Sequence, residues 1–62
     1  MELREQVYSL LIVSAAEKFN RSLSELLPEN IYFPVKTVAD VGSAKRELLE
    51  RGYDLVIINT PL

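Results

Sequence analysis

Chemistry in a chain of 62 residues must come from few side chains, and two of the most versatile are missing. There is no His and no Cys. That removes the commonest general base, the commonest zinc ligand, thiolate nucleophiles and disulfides. The polar groups whose placement invites a role are Ser14, Glu17, Asp40, Asp54 and Asn59. Ser14-Ala15-Ala16-Glu17 has capping-box spacing: the hydroxyl accepts from the amide three residues on, and the carboxylate reaches back to the cap amide. Ser14 and Glu17 are therefore expected to start a helix rather than to ligate a metal. Asn59 closes an apolar run, where strand ends in open α/β sheets meet the loops that gather ligands. Its amide either holds a ligand there or simply ends the strand. Asp40 reads as a helix cap and Asp54 as a strand-entry residue. With glycine only at Gly42 and Gly52, no glycine-rich loop can cradle a phosphate. No catalytic residue, metal site or cofactor is expected, and the chain is not read as an enzyme.

The elements that position these residues follow from periodicity. The run VYSLLIV over 7–13 is β-branched, aromatic and almost continuously apolar, which suits a strand buried on both faces of a parallel sheet. Ala16, Phe19, Leu23, Leu26 and Leu27 share one helical face, and Glu17–Arg21 is an i,i+4 pair. Pro28 stops that helix, which is expected over 15–27. The run IYFPVKTV over 31–38 has strand composition, but Pro34 has no N–H to donate, so this is an edge strand. A second helix, over 41–51, carries Val41, Ala44, Leu48 and Leu49 with Glu47–Arg51 as another i,i+4 pair. Gly52 is expected to supply a left-handed residue at its end. YDLVIIN over 53–59 forms a third strand. Residues 1–6 are a polar lead-in.

The order is β-α-β-α-β, and each helical connection is long enough to join parallel strands. Right-handed crossovers then give a three-stranded sheet of order 2-1-3 with one helix on each face. That is an α/β fold, half of a doubly wound domain. Its third strand is as apolar as a central one yet lies at an edge, an invitation to pair with another chain.

The LLIV-Ser14-Ala15 segment, the F-x-x-x-L-x-x-L-L helix, Val38-Ala39-Asp40-Val41-Gly42-Ser43-Ala44 and the closing DLVIIN-T-P-L resemble bacterial response-regulator receiver domains. The resemblance runs over 7–62 and covers the first half of a flavodoxin-like fold, so it implies that 1–62 is a single truncated receiver-like domain. In that family the first strand ends in an acidic pair that binds magnesium, and the third ends in the aspartate that accepts phosphate. Position by position, the acidic pair falls on Ser14 and Ala15 and the phosphoacceptor on Asn59. All three depart from the pattern. An amide cannot replace the carboxylate nucleophile, and Ala15 offers magnesium no ligand atom. The resemblance thus implies a pseudo-receiver of a two-component system that is not phosphorylated and signals by protein–protein association. Some receiver-like domains of this kind are joined to an RNA-binding helical (ANTAR-type) module. Two other functions are kept in view: a phosphoacceptor with unusual chemistry, and a small ligand-binding domain with its crevice at Ser14 and Asn59.

Composition bounds the partners. A net charge of −2, with basic residues scattered among acids, gives no nucleic-acid footprint. The aromatic residues Tyr8, Tyr32, Phe33 and Tyr53 are not interleaved with basic ones and are assigned to packing. The apolar runs are far short of the ~18–20 residues of a membrane span, and the N-terminus lacks signal-peptide features. A cytoplasmic chain is expected. Its expected partner is a second copy, met through the third-strand edge (Leu55, Val56, Ile57, Ile58) or through faces that no helix covers.

Overall fold

The computed structural model describes residues 6–60; the polar lead-in otherwise lies outside them. The element order is β1 (Tyr8–Ser14), α1 (Glu17–Leu26), β2 (Tyr32–Val38), α2 (Val41–Glu50) and β3 (Leu55–Asn59). Both pairings are parallel and the sheet order is β2-β1-β3. This is the expected half of a flavodoxin-like arrangement.

β1 is central, and its composition follows from that. Leu10, Leu11 and Ile12 are fully buried, and Val13 and Ser14 are 1% exposed. Leu11 and Val13 pack with Ala44 of α2, bordered by Val38 and Tyr53. By the alternation of a strand, Leu10 and Ile12 face the other side of the sheet, beneath α1. A strand covered on both faces has no polar side to show, hence its unbroken apolar run.

Pro34 does what its missing N–H requires. β2 is an edge, and its register with β1 breaks around Pro34: Tyr8 pairs with Tyr32, but Leu10 pairs with Val35. Three residues of β2 thus span two of β1, a bulge beside a residue that cannot donate to the ladder. The Phe33–Pro34 peptide is cis.

The helices depart from expectation in three places. α1 begins at Glu17, its N-cap is Ala16, and no side chain caps it. Ser14 is the last residue of β1, and its Oγ accepts from the N–H of Ala16 at 3.2 Å. The capping box fails because Ser14 is held in the ladder as the partner of Asn59, two residues too early to serve as cap. Gly52 has no positive φ; the chain leaves α2 through Arg51 in an extended conformation. Third, the apolar face of α1 is only partly used, since Phe19 is 38% and Leu26 77% exposed.

Asp40 caps α2 as expected, its Oδ1 accepting from the Ser43 N–H at 2.7 Å. That bond holds the Asp40 carboxyl below its usual range. Glu47 and Arg51 approach to 3.5 Å, while Glu17 and Arg21 form no ion pair among the described residues. The Tyr53 hydroxyl donates to Glu47 Oε1 at 2.8 Å. Burial, and then this bond to a carboxylate, raise the Tyr53 pKa.

Candidate functional site

In an open parallel sheet, ligands meet the carboxyl ends of the strands where the chain reverses direction. Here α1 leads from β1 outward to β2, and α2 returns past β1 to β3, so the reversal falls between β1 and β3. Ser14 and Asn59 are register partners there, each the last residue of its strand. Two residues picked out far apart in sequence are thus side by side.

Their contacts define what the position can do. Asn59 Nδ2 donates to Ser14 Oγ at 3.3 Å. The same oxygen accepts from Ala16 N, so both hydroxyl lone pairs are occupied. Ser14 is buried and is joined by no base among its hydrogen-bond partners, so its hydroxyl has neither access nor activation as a nucleophile. Ala15 is exposed and brings no polar side-chain atom. No cluster of three or more Asp, Glu, His or Cys side chains is placed to hold a metal ion among the described residues.

A third residue joins them that the sequence did not single out. Asn20 Nδ2 donates to the Ser14 carbonyl at 2.9 Å, while its Oδ1 is buried without a hydrogen-bond partner. Asn20 therefore ties the first turn of α1 to the end of β1 and fixes the loop over 15–16. The available signal was propensity, since Asn is a weak helix former and tends to serve nearby backbone groups instead. The result is a connected polar set of Ser14, Asn20 and Asn59, with neutral groups only, in which Asn59 is exposed and Asn20 Oδ1 has no partner.

Two other features lie away from this crevice. At the opposite end of β1 and β3, Asp54 Oδ2 accepts from Ser9 N at 2.8 Å and from Ser9 Oγ at 3.1 Å. Asp54 N answers with bonds to Ser9 Oγ at 3.0 Å and Ser9 O at 3.1 Å. Asp54 is thus a strand-entry residue with a partner 45 positions away. A surface groove of about 230 Å³ lies between α1 and β2, lined by Ser24, Leu27, Glu29, Tyr32, Phe33 and Val35. It includes neither Ser14 nor Asn59. No helix among the described residues is long and apolar enough to cross a membrane.

Compared with models of protein families, with curated proteins and with solved structures, the chain finds no match in any of the three. Fold and local geometry therefore carry the functional reading.

Proposed function

We propose that this chain is a receiver-like signalling module of the response-regulator kind that is not phosphorylated and works by protein–protein association. The observation that carries the reading is the composition of the β1/β3 crevice. Where phosphoryl transfer would need an anionic nucleophile and anionic metal ligands, Ser14 and Asn59 are bonded to each other and Ala15 contributes nothing. A half-sheet with its reversal point closed by neutral groups keeps the scaffold of a switch without its chemistry. What it offers instead is apolar surface: Leu55, Val56 and Ile58 of β3 are 45%, 41% and 65% exposed.

The test is direct. The chain is incubated with Mg²⁺ and a small phosphodonor such as acetyl phosphate, and its intact mass is measured. No phosphate adduct is expected. An adduct that survives neutral pH and is lost in mild base would mark an acyl phosphate and overturn the reading, with peptide mapping to locate the acceptor.

A further inference from the structure

The bulge in β2 shapes the groove beside α1. Residues three apart on a regular strand face opposite sides of a sheet. Tyr32 and Val35 are three apart, yet their partners Tyr8 and Leu10 share one side of β1. The extra residue therefore turns both toward α1, and Phe33 joins them along the edge. With Ser24 of α1, its C-cap Leu27 and Glu29 of the following turn, they wall the groove of about 230 Å³. Re-aiming side chains beside a binding site is a common use of a bulge.

The walls are set before anything binds. The Pro28 carbonyl accepts from the N–H of Ile31 at 3.1 Å and of Tyr32 at 3.0 Å, which fixes the turn that carries Glu29. The Tyr8 N–H donates to the Ile31 carbonyl at 2.7 Å and ties that turn to the sheet. A groove that needs little ordering gives more of its contact energy to a ligand. It also lies clear of the open side of the sheet. Strands added beyond β3 would stand on the far side of β1 from it, and a helix serving them would lie on the other flank of α1.

We propose that this groove binds a small organic cation, an ammonium carried on an aromatic body. Volume sets the size: sites for drug-sized ligands run to roughly 300–1,000 Å³, so this smaller one takes about ten non-hydrogen atoms. Leu27 and Val35 supply apolar contact, and Tyr32 and Phe33 supply rings whose faces attract positive charge. Phe33 is 66% exposed, so its ring is open to a ligand. Glu29 is the only charged side chain among the lining residues. Lys36, the cation of β2, pairs with Leu11 and so faces the α2 side of the sheet. Rings with a single carboxylate favour a cation over a neutral molecule and repel an anion. Glu29 is exposed, so solvent screens the attraction and the affinity is low, with a dissociation constant of about 1 mM. The inference uses neither the β1/β3 crevice nor phosphoryl chemistry, and stands apart from the reading above.

Three probes of nearly one shape separate charge from size: phenethylammonium, phenethyl alcohol and phenylacetate. Each is titrated into the isotope-labelled chain, and amide shifts are followed by proton–nitrogen correlation spectra. Phenethylammonium is expected to shift Leu27, Glu29, Tyr32, Phe33 and Val35 with the millimolar affinity given above. The alcohol should bind about threefold more weakly, and phenylacetate about tenfold or more. Glu29→Gln should bring the ammonium down to the affinity of the alcohol. Phe33→Ala should weaken the ammonium and the alcohol alike, by about threefold or more. Both side chains are exposed, and the dispersion of the same spectra shows whether each variant keeps its fold. No shift in the groove up to about 10 mM phenethylammonium overturns the proposal. So do equal affinities for the three probes, a preference for the ammonium that survives Glu29→Gln, or shifts centred on Ser14 and Asn59 instead.

Discussion

The Ser9–Asp54 contact is the sharpest place to test how this small sheet is held. It joins the start of β1 to the entry of β3 through four hydrogen bonds, two of them accepted by the Asp54 carboxylate. Asp54→Ala removes those two and leaves the Ser9 N–H without its acceptor. A hydrogen bond to a charged group contributes about 1.5–3 kcal/mol when sheltered. Asp54 is exposed, so solvent competes and the pair together is worth about 1–1.5 kcal/mol. A chain of 62 residues is stabilised by only about 3–9 kcal/mol in all. At roughly 4–8 °C per kcal/mol for a domain this small, the melting temperature should fall by about 4–12 °C. Asp54→Asn keeps an oxygen in place and should lose less than half as much. Thermal and urea denaturation followed by circular dichroism measure both. In a double-mutant cycle with Ser9→Ala, the coupling between the two side chains should be about 0.5–1 kcal/mol. An Asp54→Ala variant within about 0.3 kcal/mol of the parent, with no coupling to Ser9, would refute the reasoning and place the strand pairing in the apolar ladder alone.

Four further outcomes follow from the same geometry. Gly52→Ala should stabilise by about 0.4–1 kcal/mol, because Gly52 has no positive φ and an added Cβ meets nothing within 4 Å; a loss of stability in the denaturation midpoint would restore a left-handed residue there. Leu11→Ala should cost about 2–5 kcal/mol, a large share of the total, and lower the melting temperature and urea midpoint followed by circular dichroism accordingly, since Leu11 is fully buried in the central strand. The pH profile of stability should bend at both ends. The Asp40 carboxyl is held below its usual 3.8, so its contribution is present above about pH 4 and drains away as pH falls through the lowered value; Asp40→Asn should flatten that limb. Tyr53 is raised above its usual 10.0, so its contribution is whole below pH 10 and is lost as pH climbs through the raised value, a limb that Tyr53→Phe should remove.

What the sequence disclosed and what it withheld divide along one physical line. β1 was legible because burial on both faces leaves an unbroken apolar run. β2 was legible as an edge because a missing N–H at Pro34 is a property of one residue and needs no partner. Asp40 was legible because its acceptor and donor lie three residues apart. Each of these is a local constraint. Ser14 was misread for the opposite reason: its local spacing to Glu17 satisfied a capping box, but pairing with Asn59 kept it in the strand. The Ser9–Asp54 bonds were missed because no short-range pattern encodes a contact made across the sheet, and Asn20 because a propensity alone does not say which nearby backbone group it serves, here the Ser14 carbonyl six residues back. Gly52 shows the weaker failure, in which a residue permits a left-handed conformation that the chain does not use. The crevice depends on both kinds of information. Sequence position alone brings Ser14 and Asn59 to strand ends, but only the parallel register sets them side by side, and only then does their mutual hydrogen bond show that the site is closed by neutral groups. The same register fixes which side chains of β3 share a face with those of β1.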